Sequence, residues 1–206
     1  MIKYYVTDVE TTGLDSKMQE ITEISIIRAD DKAQLTKMIK CEYPERASLD
    51  ALKITRKTMQ DLISGEPKES VIDRIDKFFL EDNSQPSHRC FIGHNVGFDR
   101  KFIHALYDKV NKKCPVDLWL DTMSLTKTFV KTAGMKSKVN LQAACDLVGI
   151  KKIATSHTSK HDARNTYLLW KELVDNRKID FLPHIKNIPH FVPISNDDLE
   201  DLSDIE

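Results

Sequence analysis

The strongest constraint on the fold is a short run, Ile2-Lys3-Tyr4-Tyr5-Val6-Thr7, that leads into Asp8-Val9-Glu10-Thr11-Thr12-Gly13. β-Branched and aromatic residues dominate the run, so it reads as a strand leaving an apolar core. Residues i and i+2 of a strand share a face. Asp8 and Glu10 therefore set two carboxylates side by side near the strand's end. Like charges that close repel unless something neutralises them. A hard divalent cation with oxygen ligands does so, and Mg²⁺ or Mn²⁺ suits such a site. Gly13 then frees the chain to turn sharply. Taken alone, the pair reads equally well as a solvated strand end with two unrelated acids.

The rest of the chain supplies a frame for that strand. Glu20–Arg28 alternates through Ile21, Ile24 and Ile26 as a second strand, and Leu35–Tyr43 reads as a third, ended by Pro44. Short connections make these an antiparallel meander. Ala47–Leu52 and Thr58–Ile63 read as short helices. Val71, Ile72, Ile75, Phe78 and Phe79 fall at helical spacing, predicting a helix over 69–81. Strands and helices then alternate: Cys90–Ile92 as a strand, a stripe of Phe98, Phe102, Leu106 and Val110, Leu118–Leu120 as a strand, and a helix over 122–132. Leu141, Ala144, Cys145 and Val148 mark a further helix closed by Gly149, and Ala163, Tyr167, Trp170 and Val174 stripe the last one. A meander followed by alternating α and β predicts an α/β fold with a mixed sheet and helices against it.

A chain of 206 residues accommodates one sizeable core, here expected over residues 1–178. Residues 179–206 are expected to form a Pro-containing extension and an acidic, disordered tail. The last twelve residues hold six acids and no Lys or Arg, which leaves 26 acids against 31 basic residues in the body. A mildly basic body is compatible with a polyanionic ligand. No apolar run approaches the roughly 20 residues that span a bilayer, and the N-terminus opens into a strand without a signal-peptide pattern. Cys41, Cys90, Cys114 and Cys145 include no Cys-x-x-Cys pair, as expected of reduced thiols in a cytoplasmic protein without membrane attachment.

Two further motifs carry acids. In Gly93-His94-Asn95-Val96-Gly97-Phe98-Asp99, Asn95 is a candidate helix N-cap and Asp99 lies one turn inside the helix. In His157-Thr158-Ser159-Lys160-His161-Asp162, Thr158 or Ser159 caps the last helix, with His157 on the preceding loop. Either acid, alone, is equally one that favours the helix dipole. Together, the order D-x-E, G-H-N-x-x-F-D, H-x-x-x-x-D resembles the DEDDh (DnaQ-like) family of 3′–5′ exonucleases over roughly residues 1–176. Leu14, Asp121-Thr122, Asn140-Leu141 and Gly149-Ile150 extend the resemblance.

The resemblance implies a ribonuclease H-like fold with a five-stranded mixed sheet and a two-metal mechanism. By matching position, Asp8, Glu10, Asp99 and Asp162 would hold two divalent cations, Mg²⁺ or Mn²⁺, and His157 would be the general base. It also implies that Thr11, Thr12 and Leu14 hold a terminal nucleotide. Phe98 stacks on a base or belongs to the core stripe, and Asn95 is a candidate phosphate or sugar contact. Lys127, Lys131, Lys136 and Lys138 either track a phosphate backbone or form a solvated loop. One departure stands out: many relatives carry His-Gly-Ile-Thr where this chain has Leu52-Lys53-Ile54-Thr55, which bears on substrate preference. His161 reads as a helix-surface residue. The expected activity is removal of 5′-mononucleotides from a nucleic acid 3′ end, single-stranded DNA before RNA, in proofreading or repair, with a DNA polymerase as a candidate partner. An RNA exonuclease and a non-catalytic nucleic-acid or partner-binding module on the same scaffold are the alternatives; the second should have lost an acid.

Overall fold

Lys3–Thr11 forms β1, the strand on which the sheet is centred. The computed structural model describes residues 1–151 and 158–191. Ile21–Arg28 (β2) and Gln34–Met38 (β3) follow as an antiparallel meander. Leu49–Thr55 (α1), Met59–Ile63 (α2) and Lys68–Leu80 (α3) precede Arg89–Gly93 (β4). Val96–Asp108 (α4), Leu118–Asp121 (β5), Thr122–Thr132 (α5), Leu141–Leu147 (α6) and Ser159–Lys171 (α7) complete the alternating half. β4 pairs parallel with β1, and β5 parallel with β4. The last helix widens into a π turn over Glu172–Asn176.

The described strands form a six-stranded sheet in the order β3-β2-β1-β4-β5-β6, one strand more than the family frame implies. The addition, β6, is Lys186–Asn187, paired antiparallel with Leu118 and Trp119 inside a segment whose prolines suggested irregular chain. Side-chain anchors too sparse to make a periodic pattern hold it there. Trp119 Nε1 donates to Ile188 O at 3.1 Å, Cys114 N to His190 Nδ1 at 3.0 Å, and His190 Nε2 lies 2.8 Å from Asp108 Oδ1. The third strand is shorter than expected. After Met38 the backbone changes partners, Lys40 N bonding Glu66 O and Cys41 N bonding Leu62 O.

Period-2 alternation divides the core between the sheet's two faces. Tyr5, Phe91 and Trp119 pack with Ile75 and Phe79 of α3 and Phe102 and Leu106 of α4. Val6, Ile92 and Leu120 pack with Leu125, Cys145, Leu169 and Trp170 of α5, α6 and α7. The same alternation puts Asp8 and Glu10 on the α7 face, where β1 extends past the apolar layer. A register shift between Glu10 and Thr11 ends regular pairing there, just before the turn at Gly13. No helix among the described residues is long and apolar enough to cross a membrane.

Candidate active site

β1 and α7 bring the acids together. Thr158 caps α7, its side chain accepting from His161 N, which starts the helix so that Asp162 falls in its first turn. One carboxylate oxygen from each of Asp8, Glu10 and Asp162 lies within 4.8 Å of the others. Asp99, on α4, reaches the same strand from the other side: its Oδ1 accepts from Val9 N at 3.1 Å, and it is almost fully buried. That bond fixes the helix carrying Asp99 to the backbone between Asp8 and Glu10.

Crowding shows in the protonation equilibria. Burial pushes the Asp8 carboxyl well above the usual carboxylate range, and Asp99, Asp162 and Glu10 push it further. Glu10 rises to about 7, from burial first, then from Asp162 and Glu23. Asp99 rises to about 8 through burial, although N–H donors from its own backbone and from Val9 favour the anion. An all-oxygen set of mutually repelling carboxylates is what a hard divalent cation fits.

A cleft of about 500 Å³ opens beside the acids. Val9, Glu10 and Thr11 form its floor, with Leu14 at the turn, Phe98 from α4, and Ala51, Ile54 and Thr55 from α1. Ser48 caps α1 by accepting from Ala51 N, and its own N–H donates to Thr12 O, so the α1 wall is tied to the turn after β1. The departing segment Leu52–Thr55 therefore contributes two of the lining residues. Leu14 is 86% exposed, an apolar side chain left at the rim. Thr11 and Thr12 turn their hydroxyls inward: Thr11 Oγ1 donates to Gly13 O and Thr12 Oγ1 accepts from Glu20 N. Phe98 packs its ring 4.9 Å from that of Phe102 while lining the cleft, so it serves both core and cleft.

One expectation changes in detail. Asn95 occupies the N-cap position but is left-handed (φ 66°) and makes no side-chain cap. Its N–H donates instead to Asp121 Oδ1, which also accepts from Met123 N as the cap of α5. Exposed Asn95 lies outside the cleft lining. His94 is held by Thr122 Oγ1 at 3.0 Å and Val139 O at 2.7 Å, and burial lowers its pKa. Lys127, Lys131, Lys136 and Lys138 are exposed. His157, the expected general base, and the acidic stretch 195–206 lie outside the described residues. His161 is half-buried in the first turn of α7.

Sequence reasoning passed over Glu23. It is the cross-strand partner of Glu10, buried, 3.0 Å from Lys57 Nζ, and it accepts from Ser159 Oγ at 2.7 Å. The signal was available: Glu23 interrupts an apolar strand at an alternating position.

A family model described as Exonuclease matches residues 5–170. The DNA polymerase III PolC-type of Staphylococcus haemolyticus is 24% identical over 176 residues, which cover 85% of this chain and 12% of that protein. That of Staphylococcus saprophyticus is 26% identical over 160 residues, covering 78% and 10%. The chain thus spans about a tenth of the length of these curated relatives. Among solved structures, E. coli exonuclease I in complex with a dT13 oligonucleotide superposes with a TM-score of 0.71 at 18% identity, covering 86% of this chain and 42% of that one. Cell-death related nuclease 4 superposes at 0.68 with 9% identity, covering 84% and 64%. The superpositions establish the fold, a mixed sheet flanked by helices.

Proposed function

Since the chain belongs to the exonuclease family, matched over residues 5–170, we propose that it is a metal-dependent 3′–5′ exonuclease releasing 5′-mononucleotides, with single-stranded DNA as its preferred substrate. The observation that carries this reading is the convergence of Asp8, Glu10 and Asp162 at the edge of a cleft of nucleotide size. Asp8, Glu10 and Asp162 would hold two Mg²⁺ or Mn²⁺ ions, with Asp99 anchored beside them by Val9 N. Bound there, such ions supply a water of lowered pKa and charge stabilisation at the leaving oxygen.

The remaining work falls to the chain. Leu14, Ile54 and Phe98 offer apolar surface for the terminal base and sugar, and base–aromatic stacking tolerates any sequence. The buried Thr11 and Thr12 hold the turn rigid, so the backbone after β1 faces the cleft in a fixed shape. His157, by the family's spacing, takes the proton of the attacking water; an imidazole with pKa near 6.5 accepts it at neutral pH. Exposed Lys127, Lys131, Lys136 and Lys138 extend a basic surface for the strand behind the terminal nucleotide. The likeness to PolC-type polymerases supports a proofreading or repair role beside a DNA polymerase. Four buried cysteines, none of them in a Cys-x-x-Cys pair, suit a reducing, cytoplasmic setting.

The test is direct. Single-stranded, 3′-recessed and 3′-overhanging DNA, and RNA of equal length, are incubated with the protein and Mg²⁺ or Mn²⁺, and products are sized. Mononucleotides lost stepwise from the 3′ end of DNA, and no cleavage in excess chelator, are expected. Faster cleavage of RNA would move the assignment to an RNA exonuclease. Binding of DNA without cleavage under all conditions would make the chain a binding module.

A further inference from the structure

The buried pair Lys57–Glu23 is unused by the reaction as described, yet three parts of the site meet at it. Glu23 faces Glu10 across the β1–β2 ladder, so two carboxylates stand directly opposite each other, an arrangement that costs stability when nothing intervenes. Lys57 Nζ lies 3.0 Å from Glu23 Oε2, and both side chains are about nine-tenths buried. The other oxygen of Glu23 accepts from Ser159 Oγ at 2.7 Å, and Ser159 Oγ lies 3.0 Å from Ser25 Oγ. Ser25 is itself the cross-strand partner of Asp8. Ser159 opens α7 three residues before Asp162, on the same helix face. Lys57 is delivered by Arg56, which ends α1 in a left-handed conformation at φ 57° and turns the chain from the cleft wall toward the sheet.

We propose that Lys57, held by Glu23, is a positioning residue that sets the charge of the acid cluster and locks Glu10, Asp162 and the α1 wall into one geometry. Glu23 already has Lys57 on one oxygen and Ser159 on the other, so its role is to hold the ammonium and not to ligate a cation. The ammonium cancels the charge that Glu23 would otherwise add beside Glu10. The positive field of Lys57 on Glu10 opposes the repulsion from Asp162 and Glu23. The inference rests on the metal-dependent reading of the cluster.

Its test is a charge cycle of Glu23→Gln, Lys57→Met and the double variant, read by Mn²⁺ titration calorimetry, melting of the metal-free protein, and cleavage of single-stranded DNA. Gln keeps an acceptor for Ser159 and removes the charge. Glu23→Gln leaves the ammonium to pair with Glu10, so Mn²⁺ affinity should fall by about tenfold or more. Lys57→Met leaves an extra buried carboxylate, so Mn²⁺ affinity should rise while kcat falls. The double variant should return to within about threefold of the wild-type Mn²⁺ affinity, and Lys57→Arg should stay close to wild type. A role in packing alone would lower the melting temperature of all three without opposed shifts in affinity. If Glu23→Gln fails to fold, the contrast between Lys57→Met and Lys57→Arg decides. Single variants that shift Mn²⁺ affinity in the same direction, or by less than twofold, overturn the inference. A wild type that cleaves and binds Mn²⁺ while the variants do not diverge removes this inference alone. A wild type that does neither removes the metal-dependent reading beneath it.

Discussion

Glu10→Gln should stabilise the metal-free protein at alkaline pH, and by an amount the structure sets. The Glu10 carboxyl titrates near 7 in the fold, against 4.5 ordinarily, because burial, Asp162 and Glu23 disfavour its charge. Below pH 4.5 the group is neutral in folded and unfolded chains alike, and nothing is lost. Between 4.5 and 7 the unfolded chain ionises first, binds fewer protons, and stability falls with rising pH; above 7 the deficit is constant. The rise from 4.5 to about 7, at about 1.4 kcal/mol per tenfold change in proton affinity, amounts to about 3.5 kcal/mol. Glu10 alone is counted, because Asp8 and Asp99 share the same repulsions. Gln keeps the shape and carries no charge. In EDTA at pH 8 the variant should therefore melt roughly 7–14 °C above wild type, at 2–4 °C per kcal/mol for a chain of this size. At pH 4.5 the two should nearly coincide. Adding Mn²⁺ at pH 8 should reverse the order, since the native state that binds the ion better gains more. Calorimetric melting at half-unit steps from pH 4.5 to 8.5, with and without Mn²⁺, measures all three. A variant that melts at or below wild type at pH 8 in EDTA, or a gap independent of pH, would refute the account of repelling, buried carboxylates.

Other outcomes follow from the same geometry. Asp8→Asn and Asp162→Asn should each cut single-stranded DNA cleavage by at least on the order of 10²–10³-fold in a quenched-flow assay, with the melting temperature in EDTA maintained or raised. His157→Ala should lose about 10²–10⁴-fold in rate, the contribution of a positioned base, while His161→Ala stays within a few-fold of wild type in a parallel rate measurement from pH 5.5 to 9. Phe98→Ala should lower kcat/KM on single-stranded DNA by roughly 5- to 150-fold, the equivalent of losing 1–3 kcal/mol of base stacking; an unchanged kcat/KM would assign Phe98 to the core alone. Asn95→Gly, at a left-handed position without a side-chain cap, should leave the melting temperature within a few degrees, whereas Asp121→Ala, which removes the acceptor of Asn95 N and Met123 N, should lower it by about 2–8 °C.

Local chemistry made most of this frame legible. The alternation in β1 and β2, the helical stripes of α3, α4 and α7, and the cap at Thr158 are encoded within a few residues of where they act, so their periods appear in the sequence. Alternation alone paired Asp8 with Glu10; that Asp162 would join them was implied only by the resemblance to the exonuclease family, since an acid in a helix's first turn reads equally as one that favours the dipole. What sequence reasoning missed depends on distant partners. Glu23 matters through its register with Glu10 and its bonds to Lys57 and Ser159, 34 and 136 positions away. β6 exists because Trp119, Cys114 and Asp108 bind a segment with no pattern of its own. Asn95 carried the composition of a cap, but Asp121 captured its N–H and drew the backbone into a left-handed turn.

The two residues of β6 have a consequence for how copies of this protein behave in solution. Without them β5 would be an outer strand, and an outer strand offers a row of free N–H and C=O groups to any other chain. Lys186 and Asn187 occupy part of that row and end after two positions, and Pro189 follows, which has no N–H to extend a ladder. The short polar strand thus acts as a stopper against sheet-to-sheet self-association. A chain cut at residue 178 would keep Asp8, Glu10, Asp99 and Asp162, but it would expose the backbone of Leu118 and Trp119, with tryptophan surface beside it. Such a fragment should self-associate at concentrations where a chain ending at Phe191 remains monodisperse by light scattering.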